Sequence, residues 1–212
     1  MVRLLVEGDT EERALPLLVE RFLRGRGVTA GRPAKKNYRG IDRLIDALPD
    51  EVPRFLRDEP ERQIVVIADF IGLRSEARGA GDLDTQVESA RDWIASRVPA
   101  TCRPSVSVHL LVHEYEALLL ADAGALPFAL PAELRSKDPE RINLTSSPSS
   151  RLVELFWRQK KRRFRKTTEG VSWLGKADPE VIYRRCPNVR GLLDEVLEHY
   201  GGEPSGLYPG AD

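Results

Sequence analysis

The sequence predicts an α/β fold, built on a mostly parallel sheet of about four strands that is flanked by helices. Short apolar runs alternate with amphipathic segments over the first 120 residues. Their spacing suits strand–helix–strand units with right-handed crossovers. The clearest run, Gln63–Asp69, is continuously apolar and β-branched up to its final aspartate, as in strands that are buried on both faces of a parallel sheet.

The first elements are predicted from hydrophobic periodicity. Val2–Val6 is the predicted first strand, and Glu11–Arg24 is the first helix, because its apolar residues recur at helical spacing. A short second strand is predicted near Val28–Ala30. The next helix is predicted over Ile41–Leu56, with interruptions near its two prolines, because proline removes a backbone hydrogen-bond donor.

The same alternation continues after the strand Gln63–Asp69. A helix is predicted over Leu83–Val98, and a fourth strand over Ser105–Val112. A further helix is predicted to continue through Leu120. Together these elements complete an α/β domain over residues 1–125.

Residues 126–212 are predicted to form a loop and a C-terminal helical extension that packs on this domain. Prolines mark a linker-like loop at its start. The segment Arg151–Gly170 has an apolar side and is predicted to be a helix that docks on the sheet domain. Pro179–Tyr200 is predicted to be a closing helical segment.

Composition narrows the function classes only slightly. Lys and Arg number 33, and so do Asp and Glu, so net charge predicts no partner and only local clustering can. Cys102 and Cys186 are far apart and fit a reducing cytoplasm better than a disulfide framework or a structural zinc site. The amino terminus has too short an apolar run for a signal peptide or a membrane span, so no membrane association is expected.

Acidic side chains stand where the predicted strands end. Glu7 follows the first strand, Asp69 ends the third, and Glu114 and Glu116 follow the fourth. Because parallel strands share their carboxyl edge, these acids are expected to converge there, where α/β folds bind ligands. Carboxylates without a convincing His or Cys set suit Mg²⁺ or Mn²⁺.

The turn after Glu7 strengthens the metal interpretation. Glu11 lies four residues on, close enough to bracket one cation together with Glu7. Asp9 is predicted to cap the first helix, with Glu12 as its capping-box partner. The alternatives are structural: first-turn acids that suit the helix dipole, with Glu116 as another such acid and Asp69 as a cap or turn former.

A basic run is the best candidate for contact with a polyanion. The segment Arg151–Gly170 holds eight basic residues against two acids. The candidate nucleic-acid contacts are Arg158, Lys160, Lys161, Arg162, Arg163, Arg165 and Lys166. A solvated helix face is the alternative, and core packing explains the aromatic residues among these charges as well as base stacking does.

Several motifs, in this order, resemble those of a bacterial Toprim-like family that is known only as a domain of unknown function. The motifs are Val6-Glu7-Gly8-Asp9-Thr10-Glu11-Glu12, Asp69-Phe70-Ile71-Gly72-Leu73, His113-Glu114-Tyr115-Glu116-Ala117-Leu118-Leu119, Pro139-Glu140-Arg141-Ile142-Asn143, Ser147-Pro148-Ser149-Ser150-Arg151-Leu152, Lys166 with Gly170, and Arg185-Cys186-Pro187. Each motif is weak alone, but together they span nearly the whole chain. The acidic edge is similar to that of Toprim nucleases of the overcoming-lysogenization-defect type.

This resemblance implies a Toprim fold, a catalytic Glu7, and Asp69 as the first acid of an Asp-x-Asp motif. Ile71 occupies the place of the second acid, so Glu114 or Glu116 replaces that ligand, or a second metal binds more weakly. Toprim nucleases also use a glutamate-x-x-x-acid pair, which Glu7 and Glu11 match, and a later lysine, for which Lys166 is the candidate.

Three functions follow as expectations. The leading one is a Mg²⁺- or Mn²⁺-dependent nuclease acting on DNA or RNA, with a separate ATPase partner in phage defence as family resemblance implies. The second is a non-cleaving regulatory subunit that binds an ATPase or nucleic acid through Arg151–Gly170. The third is a phosphotransfer or phosphohydrolase enzyme acting on small nucleotides. The sequence predicts no oligomeric state.

Overall fold

The computed structural model describes residues 1–112, 115–135, 139–141 and 148–204. Its four strands form one parallel sheet in the order β2-β1-β3-β4. The strands are β1 (Val2–Val6), β2 (Ala34–Asn37), β3 (Gln63–Asp69) and β4 (Val106–Leu111). The predicted α/β class with a parallel sheet is confirmed, and the arrangement is consistent with a Toprim-like layout.

Helices cover both faces of the sheet. They are α1 (Asp9–Gly25), α2 (Ile41–Asp58), α3 (Ser75–Arg78), α4 (Leu83–Ser96), α5 (Glu116–Ala121), α6 (Pro148–Lys160), α7 (Val171–Leu174), α8 (Pro179–Arg185) and α9 (Pro187–His199). In the described ranges, no helix combines the length and the apolarity that crossing a membrane requires.

The sheet separates two hydrophobic cores, because successive side chains of a strand point to opposite faces. Leu4 and Val6 lie in one core with α1 and the helices α5 to α9, whereas Leu5 lies in the other with α2, α3 and α4. Because the first core joins α1 to α7, α8 and α9, the C-terminal helices pack directly on the sheet layer. The proposed domain boundary after residue 125 stays a prediction.

The register of the sheet fixes the carboxyl edge. Val6 of β1 pairs with Ile67 of β3, and Asp69 of β3 pairs with Leu111 of β4. Glu7, the residue after β1, therefore lies level with Ala68, one residue before the end of β3 at Asp69. The two acids are brought to the same edge by the pairing of adjacent strands.

The second strand lies further along the chain than predicted. Val28 is not in a strand, because its backbone N–H donates to Leu23 O at 2.9 Å and closes the end of α1. The strand Ala34–Asn37 pairs with β1 at the edge of the sheet, and none of its four residues is fully buried. Because this edge strand is only half-buried, its sequence contains no apolar run from which a strand could be predicted.

Helix α2 runs without interruption from Ile41 to Asp58, so the predicted interruptions are wrong. Pro49 and Pro53 lie inside it. Burial of an apolar stripe that includes Leu44 and Val52 holds the helix against the sheet and outweighs the hydrogen bonds that the prolines remove.

The predicted helix over Arg151–Gly170 is only partly correct. Helix α6 ends at Lys160, and Lys161 follows with φ 55°, a left-handed conformation that terminates a helix. A π-helical turn covers Lys166–Gly170, immediately before α7. The predicted closing segment is divided into α8 and α9 at Cys186, because Pro187 begins a new helix.

Candidate metal centre

An open cleft of about 390 Å³ lies at the carboxyl edge of the sheet. It is formed by the end of β1, the first turn of α1, the start of α2, the end of β3 and the π-turn Lys166–Gly170. Its lining comprises Glu7, Gly8, Asp9, Thr10, Glu11, Gly40, Ile41, Asp69, Gly72, Lys166 and Thr167. In open α/β sheets this edge is where ligands bind.

Glu7 and Asp69 are adjacent in the cleft. The Glu7 carboxyl lies close enough to Asp69 to interact with its carboxyl group and its backbone N–H. Two carboxyl groups at such close range favour a state in which one of them carries a proton, because two negative charges would repel each other. Glu7 Oε2 and Asp69 Oδ1 are buried and have no hydrogen-bond partner within the described part of the chain.

This arrangement raises the pKa of both acids. Burial, and next the charge of Glu11, raise the pKa of Glu7 from 4.5 to about 7. Burial, followed by the charges of Glu7 and Glu11, raises the pKa of Asp69 well above its ordinary value. The charge of Lys166 opposes both shifts. The pair therefore holds a proton at a pH where ordinary carboxyls are ionised.

Glu11 folds back over the end of β1 from the first turn of α1. A Cβ placed on Gly8 would lie 2.2 Å from Glu11 Oε2, so the absence of a side chain at position 8 allows this approach. Glu11 is 5% exposed. The predicted convergence of Glu7, Glu11 and Asp69 in one place is therefore present in the fold.

The predicted capping box is wrong. Helix α1 begins at Asp9, so the N-cap is Gly8 and not Asp9. Gly8 has no side chain that could cap the helix, and its carbonyl accepts from the Glu12 N–H at 3.1 Å. Asp9 is already helical and accepts a hydrogen bond from Asn37 Nδ2 at 2.6 Å. Asp9 thus ties α1 to the edge strand β2.

Lys166 enters the cleft from the C-terminal part of the chain. Its ammonium Nζ lies 3.1 Å from Glu116 Oε1 and 5.1 Å from the centre of the Tyr115 ring. Tyr115 donates from its hydroxyl to the Lys166 carbonyl at 3.0 Å. A Cβ at Gly170 would lie 1.8 Å from that hydroxyl, so the glycine lets the π-turn close over Tyr115. Single π-turns are frequent at functional sites.

Glu116, predicted as a metal ligand, begins α5 and has no exposed surface. It pairs with Lys166 and does not line the cleft. Glu114, another predicted ligand, lies outside the described residues. The ligand roles of Glu114 and Glu116 stay predictions, and the geometry gives Glu116 a second function as the counter-ion of Lys166.

The carboxylate pair fits a hard cation in its chemistry. Over the described ranges, no three His, Cys, Asp or Glu side chains are gathered closely enough to form a complete ligand set. Magnesium, however, is often held by one or two carboxylates together with waters and substrate phosphates. Glu7 and Asp69 supply two such carboxylates, and each has a buried oxygen that has no hydrogen-bond partner among the described residues.

The basic run lies on the surface, and its last residue, Lys166, lines the cleft. Six of its seven predicted contacts are exposed, and Lys166 is half-buried. Arg158 pairs with Glu154 at 2.6 Å and Arg162 with Glu169 at 2.6 Å. Lys160, Lys161 and Arg163 are exposed, and no ion pair joins them to a carboxylate among the described residues.

The roles of Tyr115 and Gly170 were not predicted, although both residues stand in the motifs quoted above. No periodicity marks them, because their contact joins residues 55 positions apart. The spacing of four between Lys166 and Gly170 is the only local signal, and it matches one π-helical turn.

A sequence model of the domain of unknown function DUF4276 matches residues 6–197, which is most of the chain. This match includes the four acids that line the cleft, the paired Glu116 and Lys166, and the whole basic run. Comparison with curated proteins and with solved structures gave no significant match.

Proposed function

The chain belongs to the DUF4276 family, and we propose that its acidic cleft is the centre of a Mg²⁺- or Mn²⁺-dependent nuclease of the Toprim type. The observation that carries the proposal is the Glu7–Asp69 pair, in which half-buried carboxyls from neighbouring parallel strands lie side by side near the ammonium of Lys166. Two acids that retain a shared proton are a site where a cation can take the place of that proton.

Glu7 and Asp69 would hold the ion directly, and Glu11 would complete its shell through water or by direct contact. A bound divalent cation supplies positive charge to a phosphate oxygen and lowers the pKa of a bound water. The open cleft, with a volume of about 390 Å³, has room for a phosphate group at this edge.

The remaining groups bind and orient the substrate. Lys166 offers a fixed ammonium to the phosphodiester, and Glu116 holds that ammonium in place from the protein interior. Charge placed where negative charge develops in the transition state accelerates phosphoryl transfer. The exposed basic run would bind the neighbouring phosphates of a DNA or RNA strand.

The departure at position 71 favours a centre that holds one ion. Ile71 stands where Toprim nucleases carry their second aspartate, and its side chain is 46% exposed. An exposed isoleucine offers no ligand to a second cation. We therefore expect slower cleavage than a two-metal site gives.

The test is a cleavage assay with labelled DNA and RNA in Mn²⁺, in Mg²⁺ and in chelator. Glu7→Gln and Asp69→Asn should each lower the rate by about 100-fold or more while circular dichroism stays unchanged. Glu61→Gln is the matched control, because Glu61 is an exposed acid beside the opposite end of β3. Equal cleavage by the wild type and the Glu7→Gln/Asp69→Asn double variant would exclude the proposal.

The second candidate is a catalytically weak regulatory subunit that binds an ATPase or nucleic acid, and the exposed Ile71 favours it. Calorimetric titration with Mn²⁺ separates the two functions. No metal uptake, together with tight binding of a separate ATPase subunit, would support the regulatory function. The ATPase partnership and the role in phage defence rest on family resemblance alone.

A further inference from the structure

The aromatic residues of the basic run divide into two groups. Phe156 and Phe164 pack on the buried Trp173, with ring centres 5.5 and 5.3 Å from it respectively; Phe156 lies in the core and Phe164 packs against it. Trp157 is 55% exposed on the other side of α6. The sequence alone could not separate core packing from an accessible ring, whereas the fold assigns Trp157 to the surface.

The surface around Trp157 is strongly cationic. The ring immediately precedes Arg158, and Lys160, Lys161 and Arg163 follow within six residues. None of these last three is paired with a carboxylate in the described structure. Val153, one helical turn earlier, is also exposed, with 43% of its surface accessible, but it has no ring face on which a base could stack. An exposed indole among exposed cations is the composition of a surface that binds single-stranded nucleic acid.

The chain connects this surface to the acidic cleft. Helix α6 ends at Lys160, and the left-handed Lys161 turns the backbone towards Lys166, which lines the cleft. Five residue steps span at most about 18 Å when fully extended. Phe164 is anchored on Trp173 in the middle of this connection, which fixes its course over the core.

We infer that Trp157 is a stacking platform for an unpaired base, and that residues 157–166 lead a single strand of nucleic acid into the cleft. The inference rests on the proposed function, and it adds the substrate class. Stacking requires an exposed base face, which an unpaired strand offers and a continuous duplex hides. The exposed side chains of Lys160, Lys161 and Arg163 would contact the phosphates next to the stacked base.

Binding can be measured apart from cleavage, in the Glu7→Gln variant with chelator present. The probes are fluorescein-labelled dT20, rU20 and a 20-base-pair duplex, all followed by anisotropy. Trp157→Ala should weaken binding of the single strands by about ten-fold or more, and Trp157→Phe by much less. Val153→Ala, the neighbouring exposed residue on α6, is the matched control and should leave affinity nearly unchanged.

Intrinsic fluorescence gives a readout that only a contact at the ring would change. Unlabelled dT20 should quench the fluorescence of the protein and should still quench that of Trp93→Phe, because Trp93 packs against the core on the opposite face of the sheet. In Trp157→Phe the quenching should disappear although binding persists. Trp157→Ala should also keep the salt dependence of binding, whereas Lys160→Gln/Lys161→Gln should reduce its slope.

The possible outcomes separate this inference from the proposed function. Trp157-dependent binding without any cleavage by the wild type would retain the stacking surface and exclude the nuclease. Cleavage that depends on Glu7, with single-strand affinity equal in Trp157→Ala and the parent, would overturn the inference and assign the exposed ring to a protein contact. Preference for the duplex over dT20 and rU20 would also overturn it.

Discussion

Lys166 Nζ lies 3.1 Å from Oε1 of Glu116, a carboxylate with no exposed surface. The lysine side chain is 38% exposed, so one partner of this ion pair faces the cleft while the other lies inside the protein. The buried carboxylate of Glu116 thus holds the ammonium of Lys166 at the edge of the sheet from the interior of the protein. Removal of the cation takes one compensating charge away from this buried acid.

Lys166→Met should therefore destabilise the protein by about 3 kcal/mol, measured by urea unfolding at pH 7. Adding Glu116→Gln should restore most of the loss, because the neutral amide needs no counter-ion. Arg158→Gln is the control, since it breaks an exposed pair with Glu154, and its cost should stay below about 1 kcal/mol. A double variant as unstable as Lys166→Met would show that the pair is not the cause.

Stability without metal should fall as pH rises through the range in which Glu7 titrates. The pKa of Glu7 is raised from 4.5 to about 7, so between these values the unfolded chain has lost a proton that the folded chain keeps. The unfolded state binds fewer protons, and the free energy of unfolding therefore decreases with pH. The full difference corresponds to about 3 kcal/mol.

Denaturant unfolding in chelator at pH 5, 6, 7 and 8 would measure this effect. Glu7→Gln should lessen the decrease, because its amide does not ionise, and should leave the variant more stable than the wild type at pH 8. Glu61→Gln should follow the wild-type curve. A flat wild-type profile would contradict the raised pKa of Glu7.

Divalent metal should reverse that loss of stability. At pH 8, Mn²⁺ in excess should raise the melting temperature of the wild type by several degrees, because it binds the folded state alone. Glu7→Gln/Asp69→Asn should show no such rise. Ca²⁺ in place of Mn²⁺ tests the preference for a small ion, and an equal rise in the double variant would place the metal elsewhere.

Gly8→Ala should weaken Mn²⁺ binding while the protein stays folded. The new methyl group would occupy the space of Glu11 Oε2, which lies 2.2 Å away, and the end of a flexible side chain can swing aside. We expect about ten-fold weaker binding in calorimetry if Glu11 contributes to the site. Gly25→Ala is the control, since nothing lies within 4 Å of its added carbon.

Ile71→Asp should add a second metal. Position 71 is exposed and follows Asp69 by two residues, as the second acid of a Toprim Asp-x-Asp motif does. Calorimetry should then give a stoichiometry of two Mn²⁺ instead of one, with faster cleavage. Ile71→Asn should leave the stoichiometry at one, and an unchanged stoichiometry in Ile71→Asp would reject the role of this position.

The part of the site that lies on the sheet could be predicted because strand ends are local features. Glu7 and Asp69 each follow a buried apolar run, and parallel pairing carries them to one edge. The strand Ala34–Asn37 could not be found in this way, because its sequence Ala-Lys-Lys-Asn becomes a strand only through pairing with β1. Sequence periodicity does not record such a partner.

The position of Glu116 depends on contacts between distant segments. Its helix is fully buried, and its charge is compensated by a lysine that lies 50 residues later on a π-turn. Nothing local to either residue specifies that pairing. The sequence indicated an acid near the end of a strand, but the choice between a metal ligand and an interior counter-ion required the packing of α5 against the C-terminal helices.

The site is divided unevenly along the chain. Glu7, Glu11 and Asp69 belong to its first third, whereas Lys166 belongs to its last quarter. During translation the acids leave the ribosome long before the lysine that faces them. A growing polypeptide therefore carries the three acids without the ammonium that faces them until residue 166 has been added.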